Sequence, residues 1–122
     1  MRYLLRRTVW ITLLPIAMGA TAQDIELPLQ QSRLAGYRYH GAPAVRGELV
    51  PGEILELVRE PGNTHDANAI RIEWRGIMLG YVPRTQNAAL AWHMDRGITP
   101  RARITPRANK RARRLEFEIF LR

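Results

Sequence analysis

Cysteine is absent from the 122 residues of this sequence. Its absence excludes disulfide bonds, cysteine-ligated metal sites and thiol catalysis, so a hydrophobic core alone must stabilise the fold. Histidine is also scarce, and neither His40 nor His93 stands at a ligand-like spacing from His65. We therefore expect no metal ion and no other cofactor.

The sequence also lacks a hydrophobic run of the roughly 20 residues that a membrane-spanning helix needs. The stretch Thr8–Ala22 contains no charged residue, is interrupted by Pro15 and ends in Ala20-Thr21-Ala22, a pattern that signal peptidase cleaves. Three basic residues precede the stretch: Arg2, Arg6 and Arg7. These features predict a secretory signal peptide at residues 1–22, with cleavage after Ala22.

Export would determine both the location and the charge of the mature protein. We expect a periplasmic or secreted chain of residues 23–122, one domain without a stable membrane span. Cleavage removes three of the 19 basic residues and none of the 11 acidic ones, so the net charge falls from +8 to +5. A cytoplasmic location is the alternative if the N-terminus is misassigned. The pair Arg6-Arg7 leaves both Sec and twin-arginine export open.

Short alternating or apolar runs, separated by turn residues, predict a mainly β protein. Gln23–Ser32 contains Pro28 and is interpreted as an extended lead-in, with the first strand at Arg33–Tyr39. Arg75-Gly76 is interpreted as the tight turn of a hairpin. The further strands are predicted at Val45–Val50, Ile54–Val58, Ala69–Trp74, Ile77–Val82, Ile98–Ile104 and Leu115–Leu121.

One helix is predicted from Thr85, which can cap its N-terminus, to about Arg96, with Gly97 as its C-terminal stop. Its inner stripe is predicted to be Asn87, Leu90, Ala91 and Met94. About six strands with one helix inserted at residues 85–96 are typical of a small, partly open β-barrel of the OB-like or SH3-like kind.

The last strand shows the clearest alternation in the sequence. One face is predicted to carry Leu115, Phe117, Ile119 and Leu121. The opposite face is predicted to carry Glu116, Glu118 and Phe120. Trp74 and Trp92 are expected to be core or barrel-edge aromatics, because large aromatic side chains dominate the burial of apolar surface.

A basic segment from Arg96 to Arg114 contains eight cations and no acidic residue. Such a segment attracts polyanions, including nucleic acid, lipopolysaccharide and anionic lipid, with an affinity that falls as salt rises. It carries no base specificity, and a merely solvated loop is the alternative. The basic patch predicted here consists of Arg101, Arg103, Arg107, Lys110, Arg111, Arg113 and Arg114.

Several motifs in a fixed order resemble the HIRAN domain, a small β-barrel module of DNA-repair translocases that also occurs as a stand-alone bacterial protein. The motifs are GYRY (Gly36–Tyr39), LVREPGNTHDANAIRI (Leu57–Ile72), LGYVPR (Leu79–Arg84) and MDRG (Met94–Gly97). The resemblance extends from about Leu34 to Leu121. It implies a HIRAN domain at residues 23–122, with its core at about 33–121 and an OB-type barrel with inserted helices.

The resemblance also implies a function, which is to bind the free 3′ end of single-stranded DNA. The site residues it implies are Arg38, Tyr39, Asn63, His65 and Asp66. Their chemistry suits this ligand. An arginine grips a phosphate, a tyrosine stacks on a base, and a carboxylate accepts a hydrogen bond from a terminal hydroxyl that an internal phosphodiester lacks. Arg84 is a further candidate phosphate contact.

Other interpretations of the same residues stay open. Tyr39 is equally compatible with a half-buried strand aromatic, Asp66 and Asn68 with a purely conformational turn, and Arg84 with a solvated arginine. His65 stands where several family members carry an aromatic residue such as tyrosine, so base stacking is expected to be weaker here.

We expect no catalysis and no small-molecule substrate. The hydrolase and helicase activities of HIRAN-containing proteins belong to fused ATPase domains, and this sequence has no G-x-x-x-x-G-K-[ST] phosphate-binding motif. A metal-dependent nuclease would need several converging carboxylates, and only Asp66 stands in the candidate site. The alternative function is an envelope module that uses the same barrel to bind a protein, a peptide or an anionic polymer.

Overall fold

The computed structural model describes residues 10–12, 15, 25–108 and 114–122, and every structural statement below concerns these residues. The predicted signal peptide at residues 1–22 lies almost wholly outside them. Lys110, Arg111 and Arg113 of the basic patch also lie outside them. No helix in this part of the chain is long and apolar enough to cross a membrane.

The described residues form six antiparallel strands and one α-helix. The strands are β1 (Leu27–Arg33), β2 (Ile54–Arg59), β3 (Ile70–Trp74), β4 (Ile77–Tyr81), β5 (Arg101–Ile104) and β6 (Glu116–Leu121). The helix, α1 (Ala88–Asp95), lies between β4 and β5 in the chain. The prediction of a mainly β fold with about six strands and one late helix is confirmed.

The strands form one sheet in the order β1-β6-β5-β2-β3-β4. Its two edges meet at a single bridge, where Ala35, just after β1, exchanges two backbone hydrogen bonds of 2.9 Å with Tyr81 at the end of β4. Gly80 allows this approach, because a Cβ at that position would overlap the carbonyl oxygen of Ala35. The sheet is not closed beyond this bridge, and the result is a partly open barrel.

The β3–β4 hairpin follows from its local sequence. Arg75 and Gly76 both have positive φ angles, 47° and 79°, the combination that a type I′ turn requires and that matches the twist of the flanking strands. On β3, Ile70, Ile72 and Trp74 are buried while the residues between them are partly exposed. The predicted hairpin and the predicted alternation are both confirmed.

The core lies mainly inside the partly open barrel, and α1 packs against it. Leu90 and Ala91 of α1 are buried against it, and Asn87 and Met94 complete the stripe, Met94 only partly buried. The largest fully buried apolar side chains come from all over the sheet: Leu34, Leu55, Ile70, Ile72, Leu79, Val82, Phe117, Ile119 and Phe120. The inner stripe of the helix is therefore where the sequence predicted it.

The first strand lies earlier in the chain than predicted. Residues 27–32 were expected to belong to a lead-in, but together with Arg33 they form β1 and pair with β6. Leu27 and Leu29 point outward, 56% and 41% exposed, so the strand is defined by its partner rather than by a buried face. The predicted strand at 33–39 is wrong because Gly36, at φ 76°, ends the extended chain, and a 3₁₀ turn follows at Tyr37–Tyr39.

Two other boundaries also differ from the predictions. The predicted strand at 45–50 is absent, because Pro43 lies in a 3₁₀ turn at Ala42–Val45 that leads into further turns. Thr85 does not cap the helix, because it lies in a 3₁₀ turn at Arg84–Gln86. The helix begins one residue after Asn87 and ends before Gly97, which has a φ of 95° and stops it as predicted.

The last strand is covered on both faces, not on one. Phe117 and Ile119 are fully buried as predicted, but Phe120 and Glu116 on the opposite face are also buried, at 1% and 5% exposure. On that face the guanidinium of Arg103 lies over the ring of Phe120, and the carboxylate of Glu116 accepts the backbone N–H of Ala108 at 3.1 Å and pairs with Arg33. The prediction for Trp92, a core or barrel-edge aromatic, is also wrong, because this residue is 52% exposed on the outer face of α1.

Arg103 of β5 joins three strands at the end of the sheet where β1 begins. Its guanidinium donates to Glu118 of β6 at 2.6 Å and to Glu26 just before β1 at 2.7 Å, and it lies 4.6 Å from the ring centre of Phe120. These hydrogen bonds raise the pKa of Arg103. The pKa of Glu26 is lowered in turn, mainly by its hydrogen bonds with Arg103 and, to a smaller extent, with Arg122. The arrangement fixes the start of β1 against its neighbours.

Candidate functional site

The β2–β3 loop is ordered by side chains that bond to its own backbone. The Oδ1 atom of Asn63 accepts the backbone N–H groups of His65 at 2.9 Å and of Asp66 at 3.1 Å. The Oδ1 atom of Asp66 then accepts the N–H of Asn68 at 2.9 Å. Asparagine and aspartate favour turns because they make such bonds, so this loop is a preformed structure.

Arg59, the last residue of β2, fixes the loop from the outside. Its guanidinium donates to the carbonyl oxygens of Ala67 at 2.7 Å and Ala69 at 3.0 Å. The same guanidinium makes a two-point contact with Asp95 of α1, at 3.0 and 3.2 Å. Such bidentate arginine–carboxylate pairs fix geometry as well as charge, so the loop and the helix are held in one relative position.

A cavity of about 400 Å³ opens between this loop, the end of β4 and the segment that follows β1. This volume lies within the range of small-ligand pockets in proteins. Its lining combines apolar walls with two histidines, one arginine and one carboxylate. The residues that line it are Ala35, His40, Asn63, His65, Asp66, Ala69, Tyr81, Val82 and Arg84.

One wall of the cavity is aromatic and is fixed from behind. The rings of His40 and Tyr81 meet edge to face, with centroids 5.6 Å apart. Burial alone would raise the pKa of the Glu60 carboxyl, but hydrogen bonds from Tyr81 and Asn63 and the charge of Arg71 outweigh it, so this pKa is lowered. The same bond to Glu60 raises the pKa of the Tyr81 hydroxyl. The Tyr81 hydroxyl thus interacts with Glu60, and the Tyr81 ring forms part of the cavity wall.

The HIRAN domain family model matches residues 29–122 of the chain. The chain belongs to the HIRAN domain family. Among curated proteins, no sequence matches it.

Two solved structures share the fold of this HIRAN domain. A Lactobacillus plantarum protein superposes with a TM-score of 0.71 at 29% sequence identity, over 80% of this chain and 95% of that protein. The HIRAN domain of human HLTF superposes with a TM-score of 0.63 at 23% identity, over 79% of this chain and 78% of the human one. At the second identity, the likeness concerns the fold alone.

The cavity brings together four of the residues that the sequence singled out in this HIRAN domain. Asn63, His65, Asp66 and Arg84 all line it. Tyr39 does not line it and is 85% exposed, so the interpretation of Tyr39 as a half-buried strand aromatic is wrong. The backbone of Arg38 lies in the Tyr37–Tyr39 turn, and its side chain is outside the described part of the structure.

Sequence reasoning did not assign His40 and Tyr81 to the site. Tyr81 was visible in the LGYVPR motif, but its place in the wall depends on the bridge with Ala35, a contact 46 positions apart in the chain. His40 follows the GYRY motif by one residue, and the 3₁₀ turn that brings it to the cavity was predicted as a strand. The signal that could have found His40 is Gly36, because a glycine in a left-handed conformation ends a strand.

A second cavity, of about 510 Å³, lies on the other side of the segment that leads into α1. Val82 and Arg84 line the first cavity, while Pro83 and Thr85 line the second. The second is polar, and its floor includes the buried Glu116. The other residues that line it are Gln31, Ser32, Arg33, Gln86, Ala108 and Arg114.

The basic patch has only a partial structural description. Arg101 and Arg114 are exposed, whereas Arg103 is occupied by its two glutamates and is not available to a ligand at the surface. Within the described ranges, no three His, Asp or Glu side chains are arranged to hold a metal ion.

Proposed function

We propose that this HIRAN domain binds single-stranded DNA, prefers a strand with a free 3′ end, and catalyses no reaction of its own. HIRAN domains are nucleic-acid-binding modules, which supports nucleic acid as the class of ligand. The observation that carries the finer proposal is a carboxylate, Asp66, in the wall of a cavity that also contains Arg84 and an aromatic wall.

The carboxylate favours a strand terminus over an internal position. Asp66 repels phosphate but accepts a hydrogen bond from a hydroxyl, and a free 3′ terminus offers a hydroxyl where an internal nucleotide has a phosphodiester. A hydrogen bond to a charged group contributes about 1.5–3 kcal/mol, which corresponds to roughly tenfold or more in affinity. Arg84 lies in the same lining and supplies the cation for a neighbouring phosphate.

The rest of the cavity suits a base of any sequence. Tyr81, His40 and His65 present ring surfaces, and stacking of a base on an aromatic side chain contributes about 1–3 kcal/mol without base specificity. The exposed Arg101 and Arg114 add a salt-dependent attraction for the rest of the strand.

The test compares one oligonucleotide with three 3′ ends: hydroxyl, phosphate, and a 3′-deoxy end that lacks both. We expect the hydroxyl end to bind about tenfold or more tightly than the phosphate end, by fluorescence anisotropy at fixed salt. In Asp66→Asn this ratio is expected to fall, because a neutral amide repels the phosphate less. Equal affinity for all three ends in the wild type would disprove end recognition and leave only charge-driven binding.

Two further parts of the proposal have tests of their own. Metal-dependent cleavage of DNA by the purified protein, lost in Asp66→Ala, would contradict the absence of catalysis. Binding of an envelope protein or peptide that does not weaken with salt would favour the alternative interaction module.

We also propose export directed by residues 1–22. N-terminal sequencing of the protein from fractionated cells is expected to find a chain that begins at Gln23 in the periplasm or the medium. A chain that keeps residues 1–22 in the cytoplasm would contradict it.

A further inference from the structure

Asn87 has an unusual arrangement for the residue that precedes a helix. Asparagine in this position normally accepts a hydrogen bond from a backbone N–H of the first helical turn and so stabilises the helix. In this protein the Asn87 side chain makes no such bond, although Asn87 is almost completely buried, with 1% of its surface exposed. Its amide nitrogen instead donates to the Oδ2 atom of Asp66 at 2.7 Å.

Helix α1 is therefore tied to the β2–β3 loop at both of its ends, directly at one end and through Arg59 of β2 at the other. At the N-terminal end the contact is Asn87 with Asp66, and at the C-terminal end it is Asp95 with Arg59. Since Arg59 also holds the carbonyl oxygens of Ala67 and Ala69, the part of the loop that follows Asp66 is fixed as well.

We propose that Asn87 is a positioning residue that orients the carboxylate of Asp66 for a 3′ hydroxyl. This inference rests on the function proposed above. It adds that the preference for a free 3′ end depends on a side chain that does not line the cavity, and that the β2–β3 loop and α1 act as one unit.

The hydrogen-bond capacity of Asp66 explains how the orientation works. A carboxylate oxygen has two lone pairs, and each oxygen of Asp66 receives one donor: the N–H of Asn68 on Oδ1 and the amide of Asn87 on Oδ2. Each oxygen thus keeps one acceptor position for a ligand. The torsion that rotates an aspartate carboxylate is broad, so without Asn87 only the bond to Asn68 would restrain it.

The measured quantity is the ratio of dissociation constants for a 3′-phosphate and a 3′-hydroxyl oligonucleotide. The main variant is Asn87→Ser, because serine is also a strong N-cap residue and preserves the helix start, while its side chain is too short to reach Asp66. We expect the ratio to fall by about fivefold or more relative to the wild type, a change of roughly 1 kcal/mol. The affinity for the 3′-phosphate oligonucleotide should stay within about twofold, because charge-driven binding does not depend on Asn87.

A double variant separates positioning from folding. In Asp66→Asn with Asn87→Asp the two side chains exchange roles, so the new amide at position 66 can donate to a carboxylate at position 87. We expect thermal unfolding close to that of the wild type but a ratio as low as that of Asn87→Ser, because the charge has left the cavity. A double variant that retains the wild-type ratio would show that a carboxylate at position 66 is not needed, and would contradict the proposed function together with this inference.

The outcomes for the two proposals differ. If the wild type shows no preference for the hydroxyl end, the proposed function fails and this inference fails with it. If the wild type shows the preference and folded Asn87→Ser keeps it, only the positioning role of Asn87 is wrong. Loss of affinity for both oligonucleotides by the same factor would also overturn it, since this is what a merely structural residue would cause.

Discussion

Glu60 illustrates how single residues connect the site to the fold. Its carboxylate accepts a bond from Arg71 at 3.0 Å and one from the amide of Asn63 at 3.4 Å, and its interaction with the Tyr81 hydroxyl helps to lower its pKa. One side chain thus connects strand β3, the β2–β3 loop and the aromatic wall of the cavity.

A pH dependence of stability follows from this arrangement. Because the pKa of Glu60 is lowered in the folded protein, its stabilising contribution is present above its unfolded pKa of about 4.5 and is lost as the pH falls through the folded value. We expect the free energy of unfolding, measured with urea, to fall less between about pH 5 and pH 3 in Glu60→Gln than in the wild type. Glu56→Gln, at an exposed position of β2, is the control and should keep the wild-type slope. A slope unchanged in Glu60→Gln would contradict the prediction.

Arg84 permits a residue-level test of phosphate binding. We expect Arg84→Ala to weaken the binding of 3′-hydroxyl and 3′-phosphate oligonucleotides alike, by about threefold to tenfold, because the guanidinium would bind a phosphate that both oligonucleotides contain. Arg46→Ala makes the same charge change at an exposed position that does not line the cavity. Equal losses of affinity in the two variants, by anisotropy, would mean that Arg84 contributes only to the overall charge.

At the scale of elements, strands β2 to β6 were predictable from apolar or alternating runs in the sequence, and β1 was not. In β3 the sequence itself shows which residues face the core. In β1 the leucines face outward, and the strand exists because β6 lies beside it, which no local pattern encodes. The same limit applies to the site, since the loop from Asn63 to Asp66 was visible in the sequence while the aromatic wall depends on a bridge between distant segments.

The bridge itself can be tested with a pair of glycine variants. We expect Gly80→Ala to lower the free energy of unfolding by about 1–3 kcal/mol, because the added Cβ would overlap the carbonyl oxygen of Ala35. Gly62→Ala is the matched control, since a Cβ there meets no atom within 4 Å, and its stability should stay within about 1 kcal/mol of the wild type. Chemical denaturation of both variants measures the difference. A Gly80→Ala protein as stable as Gly62→Ala would show that the bridge can shift at little cost.

At the scale of the whole molecule, charge and end recognition should be separable. We expect the combined substitution of Arg101 and Arg114 by alanine to reduce the slope of log affinity against log salt by up to about 0.7 for each phosphate that is no longer neutralised. The ratio between 3′-hydroxyl and 3′-phosphate oligonucleotides should not change, because neither arginine lines the cavity that contains Asp66. Titrations at several salt concentrations measure both quantities. A changed ratio with an unchanged slope would contradict this division of roles.

The single bridge between Ala35 and Tyr81 has a consequence for the dynamics of the barrel. These two residues are the only paired positions between the first and last edges of the sheet in the described part of the chain, and both also line the cavity. A ligand in the cavity can therefore contact both edges of the sheet at the point where they pair. We expect a ligand in the cavity to slow amide hydrogen exchange at Ala35 and Tyr81 more than in the paired interior of β5 and β6, because it would stabilise the pairing between the two edges of the sheet.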